Sequence, residues 1–467
     1  MKSRVSLGLE RVPAPQHAIL KRVSKLLRQE GARGYVVGGF LRDHLVGRPT
    51  GDIDLVVDGV APRDVARALV RTLGLSGPIV FPRFKTVLVV GAGLQVEICK
   101  LEGDLARDAS RRDFTLNCLY FELASLGAAR GGRRILDPTG QGLADLEARR
   151  LRSPQDPCLT LWLDPLRILR AVRFFAAYGF RLDPALRDAM ERMAYLVTRP
   201  AAERVRVELE RILISPRLIP ALRLMQQTGI NAVLLPELAG TDGFSQATPY
   251  HAYDLFTHLA KTAARMPPVA VLRLAGLLHD VGKLATQARK GDRMVYYGHE
   301  DVSRDVAAAV AKRLRFSNQA ADLLVFLAGN HMVNYSRAWS DRAVRRFVRR
   351  MGKNLEEILI LAEADRRAQR PVKAHEAGVW DLRRRVQSLE RERAPGDHLP
   401  VDGRDIMEIL GITQGPLVGE AKAFLLEEAL KRRRRMTRAE AAGLLLGWSR
   451  AGAARGARIH VDKPPPA

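Results

Sequence analysis

The segments GGFLRD at residues 38–43 and GDIDL at residues 51–55 decide the fold of the N-terminal part of the chain. Short apolar runs at residues 35–38 and 53–57, each bounded by Gly or Asp, predict two strands. Residues 40–45 predict a helix that begins just after Gly38 and Gly39. Asp52 and Asp54 are two positions apart on the second predicted strand, so we expect both carboxylates on one face of the sheet.

Paired carboxylates of this kind indicate a cation site. Two neighbouring carboxylates repel each other unless a cation neutralises them, and Mg²⁺ binds a few carboxylate oxygens together with substrate phosphates. The glycine pair allows close backbone approach, the helix N-terminus offers N–H groups to a triphosphate, and Arg42 lies one turn further on. The combination predicts metal-assisted nucleotidyl transfer, in which two Mg²⁺ ions activate a 3′-hydroxyl and stabilise the leaving pyrophosphate.

Each of these pieces also has a purely structural explanation. Asp-x-Asp alone is typical of a turn at a strand edge, and Gly-Gly alone is typical of a flexible loop. Their order and spacing favour the catalytic interpretation. Glu97, in QVEIC on a neighbouring predicted strand, is either a third carboxylate of the site or an exposed strand residue.

The composition excludes several classes of protein. The chain has 467 residues, 47% of them hydrophobic, which suits two to four folded domains and excludes a disordered chain. Its three cysteines match neither a disulfide scaffold nor a zinc pattern, and the N-terminus lacks an apolar secretory segment, so we expect the cytoplasm. The most apolar stretches are too short to span a membrane. The net charge of +25 favours nucleic acid as partner, with an anionic membrane, plain solubility or an arginine-rich composition as alternatives.

The spacing of apolar residues changes along the chain. Residues 87–90, 95–99 and 116–121 predict further strands, whereas from Asp164 onward apolar residues three and four apart predict helices throughout. We therefore expect an α+β protein, in which a small mixed-sheet head precedes an all-helical body. The predicted divisions are a head at 1–155, a helical neck at 156–243, a metal-binding helical domain at 244–370 and a helical RNA-binding tail at 371–467.

Several segments together resemble one enzyme family. GGFLRD and DIDL are joined by SRRDFTLNCLYFE at 110–122, ILDPTGQGLADLEARRLR at 135–152 and LDPLRILRAVRFFAAYGF at 163–180. This series resembles the class II tRNA nucleotidyltransferases, the family of CCA-adding enzymes and bacterial poly(A) polymerases. The resemblance implies a nucleotidyltransferase head that uses Mg²⁺, CTP and ATP, and it implies tRNA as the macromolecular partner.

The resemblance also implies a role for each matching residue. The catalytic metal carboxylates would be Asp52 and Asp54. The implied nucleotide contacts are Gly38, Gly39 and Arg42 near the triphosphate, and Arg111, Arg112 and Asp113 near the sugar and phosphate. The incoming base would be recognised by Asp164 and Arg167, with Arg170 and Arg173 behind them.

The spacing of the last four residues supports base recognition. Asp164, Arg167, Arg170 and Arg173 recur every third position, which predicts that neighbours lie close along one face of one helix. A carboxylate acceptor beside a guanidinium donor could satisfy the polar edge of cytosine, or re-aim for adenine. The alternative is a simple helix start, with Asp164 as the N-cap, Pro165 as the first helical residue and the arginines on a solvated face.

One departure from the family pattern concerns nucleotide specificity. Glu97 and Arg111 are only 14 positions apart, an interval in which CCA-adding relatives carry a longer flexible loop. In this respect the sequence resembles the enzymes of this family that add only the two cytidines, in which the loop is also shortened. CCA addition and CC addition therefore both remain open.

A group of histidines and aspartates marks the middle of the chain. LLHDVGK at 277–283 resembles the HD-type phosphohydrolase signature. The resemblance implies a first divalent metal on His258, His279, Asp280 and Asp365, and a second metal or a phosphate on His299 and His331. Because His279 and Asp280 are adjacent, both could bind one metal only at a helix end. The alternative is a structural domain whose histidines are satisfied by hydrogen bonds.

The C-terminal part offers candidate RNA contacts. Residues 399–430 resemble the C-terminal body of many bacterial CCA-adding enzymes, and Gly411 with Gly415-Pro416 could form a phosphate-binding turn or a plain helix connection. The KRRRR run at 431–435 is either a phosphate contact or a solvated face. A second group of cations could extend an RNA track on one helix: Arg345, Arg346, Arg349 and Arg350.

These observations lead to one main hypothesis. We expect a template-independent tRNA nucleotidyltransferase that adds CCA, or only CC, to the tRNA 3′ end from CTP and ATP. The alternatives are a poly(A) polymerase, an HD phosphohydrolase as the main activity, and an RNA-binding protein with inactive catalytic domains. The sequence makes no prediction of the oligomeric state.

Overall fold

The computed structural model describes most of the chain in two compact units. The described residues are 12–48, 51–81, 86–91, 93–127, 135–246, 253–291, 293–369, 376–391, 399–430 and 436–453. The first unit takes its described residues from Met1–Phe244, Pro267–Leu274 and Val306–Ala321. The second takes them from Ser245–Met266, Ala275–Asp305 and Asp322–Ala467. Within these ranges, no helix is both long enough and apolar enough to cross a bilayer.

A seven-stranded mixed sheet forms the head within the described part of the first unit. Its strands are β1 Arg33–Val36, β2 Asp52–Asp58, β3 Ile79–Phe81, β4 Thr86–Gly91, β5 Leu94–Lys100, β6 Tyr120–Glu122 and β7 Ile135–Leu136. They lie in the order β3-β4-β5-β2-β1-β6-β7. β2 and β5 are parallel, and their register places Asp52 opposite Gln95 and Asp54 opposite Glu97.

Apolar side chains on β2 anchor the centre of this sheet. Ile53, Leu55 and Val57 are buried, while Asp52 is exposed and Asp54 half-buried on the alternate positions. Alternation of this kind buries one face of a strand and leaves polar groups on the other. The helices of the head are α1 Ala14–Gln29, α2 Gly38–Leu45, α3 Pro62–Leu73, α4 Leu105–Ser110 and α5 Gly142–Glu147.

The remaining helices of Met1–Phe244 form a helical layer after the sheet. They are α6 Pro157–Leu163, α7 Leu166–Tyr178, α8 Pro184–Arg192, α9 Ala202–Leu213, α10 Leu218–Gln227 and α11 Ile230–Leu234. α7 packs against α9 and α10, burying Ile168, Leu169 and Val172. Two short parallel strands, β8 Arg150–Leu151 and β9 Arg181–Leu182, flank α7 in the sequence.

The rest of the described chain is mainly helical. Its helices are α12 Leu255–Arg265, α13 Ala270–Leu278, α14 Lys283–Thr286, α15 His299–Arg313, α16 Asn318–Asn330, α17 Asp341–Met351, α18 Leu355–Ala368, α19 Glu376–Arg391, α20 Gly403–Leu410, α21 Pro416–Leu430 and α22 Arg438–Ala453. α20, α21 and α22 share a separate apolar core that contains Ile406, Leu425 and Leu445. A short hairpin of β10 Ala288–Lys290 and β11 Arg293–Val295 lies between α14 and α15.

The α+β class, with a mixed-sheet head and a helical body, is confirmed. The predicted strand at 116–121 is wrong over most of its length, because Thr115–Asn117 is a 3₁₀ turn and a strand begins only at Tyr120. The side chains of Thr115 and Asn117 explain this turn, since they hydrogen-bond to Asp145 and Asp113 rather than project from a sheet. The helical spacing did not predict the β10–β11 hairpin. The KRRRR run at 431–435 lies outside the described residues.

Asp164 is not on the helix that carries the three arginines, contrary to the spacing argument. α7 begins at Leu166, and Asp164 has an extended backbone with φ −144° and ψ 96°. Pro165 accounts for this, because the proline ring disfavours helical geometry in the residue before it. Arg167, Arg170 and Arg173 do lie on α7, as predicted.

Candidate active site and metal centre

A cavity of 470 Å³ is lined by residues of α2 and of β2, the central strand of the sheet. Ten of the residues singled out in the sequence line it: Gly38, Gly39, Arg42, Asp52, Asp54, Glu97, Arg112, Asp113, Arg170 and Arg173. It is also lined by residues that sequence reasoning missed, among them Asn117, Phe174, Tyr178 and Arg211. The cavity thus combines carboxylates on β2 and β5 with guanidinium groups from α2, α7 and α9.

The N-terminus of α2 fixes the Asp54 carboxylate. The backbone N–H groups of Gly39 and Phe40 donate to Asp54 Oδ2 at 2.8 and 3.3 Å. Burial raises the pKa of Asp54, and these two hydrogen bonds oppose that rise. Gly38 has φ +62°, and a Cβ there would lie 2.8 Å from Asp54 Oδ2, so only glycine fits this approach. The predicted N–H donors of this helix end are therefore engaged by the protein's own carboxylate.

Glu97 lies beside Asp54 on the neighbouring strand. Desolvation and the nearby Asp54 carboxylate both raise the pKa of Glu97. Asp52 is exposed at the same cavity. Three carboxylates on one wall suit a hard cation that keeps water and phosphate oxygens among its ligands, as Mg²⁺ does.

Arg42 is buried and already has several partners. Its guanidinium donates to both oxygens of Asp43 at 2.8 Å, to Asn117 Oδ1 at 2.7 Å and to the Tyr178 hydroxyl at 3.1 Å. It also lies over the rings of Phe174 and Tyr178, at 4.7 and 5.0 Å from their centroids. The aromatic pair is four residues apart on α7, a spacing visible in the sequence, but its link to Arg42 requires the fold.

Arg111 and Arg112 share one buried partner, Asp108. Both guanidinium groups donate to its carboxylate, and the Tyr120 hydroxyl donates to Asp108 Oδ2 at 2.7 Å. Burial alone would raise the pKa of Asp108, but Arg112, Tyr120 and Arg111 together hold it below its ordinary value. Arg112 borders the cavity, whereas Arg111 is not among the lining residues.

Asp113 joins the head to α7. One oxygen accepts from the Asn117 amide at 2.8 Å and the other from Arg170 Nε at 2.9 Å. Burial would raise the pKa of Asp113, but the guanidinium of Arg170 and the amide of Asn117 hold it well below its usual range. The carboxylate predicted to contact the nucleotide is therefore also a structural anchor.

Glu208 on α9 continues this connection. It is 3% exposed, accepts from Arg173 Nε at 2.7 Å and lies 4.0 Å from Arg170 Nη1. We call the series Arg42, Asn117, Asp113, Arg170, Glu208 and Arg173 the polar chain. The sequence signal for Glu208 is its helical spacing, because it falls on the same face of α9 as the buried residues Val205 and Ile212.

Asp164 and Arg167 lie outside the 470 Å³ cavity. Arg167 donates to the backbone oxygens of Thr160 and Arg111. Asp164 Oδ1 accepts from the backbone N–H of Leu166 at 3.3 Å, and Oδ2 lies 3.6 Å from Arg204 on α9. Asp164 borders a second cavity that also contacts Trp162, Arg199 and Arg204. The two residues are neighbours, since the backbone N–H of Arg167 donates to the carbonyl oxygen of Asp164 at 3.0 Å, but their side chains contact different partners.

Asp113→Asn is expected to destabilise the protein by about 2 kcal/mol at pH 7. It leaves Arg170 without its carboxylate, and the cost is below that of a fully buried pair because the Arg170 side chain is 32% exposed. The pKa of Asp113 is lowered by folding, so its contribution is present above about pH 4 and is lost in more acidic solution.

Urea unfolding of both proteins at pH 7 and at pH 3 measures this difference. Asp64→Asn, which removes an exposed carboxylate 3.7 Å from Arg67, is the control and should change stability by less than about 0.5 kcal/mol. Equal effects of the two substitutions would contradict an anchoring role for Asp113.

Four residues of the second unit form a first His/Asp group. His258 Nε2 lies 3.1 Å from Asp365 Oδ1 and 3.4 Å from His279 Nε2, which in turn lies 3.4 Å from Asp280 Oδ2. α13 ends at Leu278, so His279 and Asp280 follow the helix and can both face the same point. The expected arrangement at a helix end is thus present, and the four donor atoms lie within 4.8 Å of one another.

A second group shares Asp280 with the first. Asp280 Oδ1 lies 3.1 Å from His299 Nε2 and 3.3 Å from His331 Nε2, and the two imidazole nitrogens are 3.2 Å apart. The two oxygens of one carboxylate therefore face two different sets of histidines. These are the groups the sequence analysis assigned to a first metal and to a second metal or phosphate.

Backbone carbonyls orient three of these imidazole rings. Nδ1 of His279, His299 and His331 lies 3.0, 2.7 and 2.7 Å from the carbonyl oxygens of Gly276, Tyr296 and Ala328. A proton on Nδ1 donated to a carbonyl leaves Nε2 as a lone-pair donor, which is the usual state of a metal-bound histidine. All three Nε2 atoms face the acidic cluster, so the donor set fits a divalent cation.

The carboxylates of this cluster are neutralised by positive charges, one of which a bound metal cation could replace. Burial would lower the pKa of His279, but Asp280 and Asp365 raise it to about 10. Burial would raise the pKa of Asp280, but Lys283, at 2.6 Å, and His279 hold it far below its usual range. Without a metal, the two carboxylates are thus neutralised by a protonated imidazole and a lysine, and a bound divalent cation would displace the proton.

Comparison with protein families matches three regions of the chain. Residues 34–104 and 94–152 match the poly A polymerase head domain, and residues 250–369 match the HD domain. Residues 179–241 match the probable RNA and SrmB-binding site of polymerase A.

Known proteins are similar over most of the chain. It is 34% identical over 411 residues to an A-adding tRNA nucleotidyltransferase of Deinococcus radiodurans, which covers 84% of this chain and 90% of that protein. It is 33% identical over 428 residues to a CC-adding tRNA nucleotidyltransferase of Thermus thermophilus. That similarity covers 89% of this chain and 93% of the relative. Among solved structures, the Bacillus stearothermophilus CCA-adding enzyme in complex with CTP has a TM-score of 0.66 and 25% identity, covering 95% of this chain and all of that one.

Proposed function

This chain belongs to the family of tRNA nucleotidyltransferases and poly(A) polymerases, and from that premise we propose that it extends the 3′ end of tRNA without a template. The observation that carries the proposal is the cavity in which Asp52, Asp54 and Glu97 face a wall of arginines. Carboxylates for a cation and guanidinium groups for a triphosphate are the two requirements of nucleotidyl transfer.

Asp52 and Asp54 are the residues that would hold Mg²⁺. The ion, when bound, supplies positive charge for the attacking 3′-hydroxyl and the leaving pyrophosphate. Asp54 is held in place by two backbone N–H groups of α2, so its orientation is set before substrate arrives. Arg112, Arg173 and Arg211 border the cavity and provide charge for the phosphates. Arg42 and Arg170 line the same cavity, and their hydrogen bonds within the polar chain hold them in place.

We further propose that the chain adds only the two cytidines. In this structure, β5 ends at Lys100 and α4 begins at Leu105, so four residues connect them. A connection this short leaves little room for a flexible loop beside the nucleotide, the element on which a switch to ATP would depend. The names of the relatives do not separate the options, because an A-adding and a CC-adding protein are similar to this chain at nearly equal identity.

Primer extension with defined tRNA ends tests both proposals. Purified protein is incubated with tRNAs that end before CCA, after C and after CC, with CTP or ATP alone and together. We expect C on the first two tRNAs and no A on the third. Addition of A to the CC-ended tRNA would overturn the CC-only specificity, extended A-tails on unrelated RNA would favour poly(A) polymerase, and no incorporation on any tRNA would overturn the activity itself.

A metal-dependent phosphohydrolase is the second candidate function. The buried His/Asp cluster supports it, since imidazole nitrogens and a shared carboxylate suit a divalent transition metal that activates water. We propose His258, His279, Asp280 and Asp365 as ligands of the first ion, and His299 and His331 as ligands of a second ion or a phosphate. The proposed compartment for both activities is the cytoplasm.

A further inference from the structure

A groove of 710 Å³ runs along α17 within the second unit. It is lined by Met332, Val333, Asn334, Trp339, Ala343, Arg346, Phe347, Arg349 and Arg350, which we call the α17 groove. None of the six residues of the His/Asp cluster lines it. The groove is therefore distinct from the His/Asp cluster, although Met332 follows His331 directly in the chain.

The arginines of the α17 groove carry uncompensated charge. Arg346, Arg349 and Arg350 are exposed, and none has a hydrogen-bond or ion-pair partner among the residues that the structure describes. Like charges three and four positions apart on a helix repel each other and destabilise it. Arg342, on the same helix, is by contrast paired with Glu427. The unpartnered guanidinium groups thus present several free donors at one place.

The α17 groove is also lined by two aromatic residues, Trp339 and Phe347. Trp339 packs edge-to-face against Tyr335 and Phe347, with ring centroids 5.4 and 5.9 Å away. The Tyr335 hydroxyl donates to Asp381 and accepts from Arg385 at 3.2 Å. The indole is therefore held by Phe347 on α17 and by Tyr335, which is itself bonded to α19, and this lowers the entropy that would be lost when a ligand stacks on it.

We propose that the α17 groove binds one unpaired nucleotide of an RNA strand. An aromatic platform beside arginines is the combination by which proteins hold unstacked bases and their phosphates. Arg346 and Arg350 are separated by about 6 Å along the helix axis, which suits the phosphates on either side of one nucleotide better than a single terminal phosphate. The inference rests on the proposed function only for the choice of RNA as partner, and it assigns a contact that nucleotide addition does not require.

The charge contribution is tested with a triple variant and a matched control. R346Q/R349Q/R350Q removes three cations from the groove, and R63Q/R67Q/R71Q removes three from the exposed face of α3 in the head. Binding of a short unstructured RNA is measured over a range of salt concentrations. We expect the groove variant to bind at least about tenfold more weakly, with a salt slope reduced by about 1.4, because each of the two lost phosphate contacts in a single strand contributes about 0.7. The α3 variant should change affinity less than about twofold.

Trp339→Leu separates stacking from charge. It should weaken binding of the same RNA by about tenfold, because a base stacked on an aromatic ring contributes about that much to affinity, and it should leave the salt slope unchanged, because no charge is removed. Trp380→Leu, at a 51% exposed tryptophan outside the groove, is its control and should bind as the parent does. Circular dichroism establishes that all variants are folded.

The affinities of the groove variants decide whether the proposal holds. Weakening confined to the groove variants supports the proposal. Wild-type affinity in both groove variants, or equal weakening by the α3 and groove triple variants, would overturn it. Failure of the proposed function would appear separately, as loss of incorporation on tRNA by a protein that still binds the short RNA.

Discussion

Asp52→Asn is expected to lower the rate of nucleotide incorporation by about three orders of magnitude. The substitution removes one of the two carboxylates proposed to hold Mg²⁺, and the charge that such an ion supplies is worth several kcal/mol in the transition state. Asp52 is exposed, so the loss should not reflect unfolding. The measurement is single-turnover addition of C to a tRNA that lacks CCA, at saturating CTP and Mg²⁺.

Asp58→Asn is the matched control on the same strand. Asp58 lies at the far end of β2, where it pairs with Arg33 at 3.0 Å on the surface. It should keep the parent rate within about twofold, because an exposed ion pair contributes little. Binding of tRNA should be nearly the same in all three proteins. Substantial incorporation by Asp52→Asn would show that the site is placed wrongly.

Asp280→Asn is expected to weaken metal binding by the HD cluster by at least about 100-fold while leaving nucleotide addition intact. Asp280 is the residue whose two oxygens face both groups of histidines, so its replacement removes a ligand from each. Calorimetric titration with Mn²⁺ and Ni²⁺ should give an affinity at least about 100-fold weaker than the parent's. In the parent, metal at 100 times its Kd should stabilise the folded state by about 2.7 kcal/mol.

Asp301→Asn provides the comparison for this experiment. Asp301 lies on α15 near His299, but it is exposed and pairs with Arg304 rather than with the cluster. The variant should bind metal as the parent does. If the parent binds neither metal, or if Asp280→Asn binds both normally, the cluster is a structural group held by hydrogen bonds.

Short-range patterns explain which parts of the site were predictable. Asp52, Asp54 and Glu97 lie on strands, where a period of two places them, and parallel pairing aligns Asp54 with Glu97. The position of His279 and Asp280 after a helix end also followed from their adjacency. In both cases the relevant geometry is set within a few residues, which is the range over which spacing in a sequence carries information.

The long-range contacts could not be obtained in this way. Asp113 and Arg170 are far apart in the chain, and nothing in either segment specifies the other as partner. Asp164 shows that even local spacing can mislead, because a single proline moved it off the helix and toward Arg204. The double use of Asp280 likewise depends on how α15 and α16 place His299 and His331, a matter of packing rather than spacing.

The polar chain also constrains how this sequence can diverge. Its members come from α2, the segment around Asp113, α7 and α9, and each buried group satisfies the next. The effects of substitutions at such positions on the free energy of unfolding are not additive, because the loss of one member leaves its neighbour without a hydrogen-bond partner. A descendant that replaces Glu208 would be less destabilised if Arg173 were replaced as well. We therefore expect these positions to change together, because a substitution at one alters which residues are tolerated at the others.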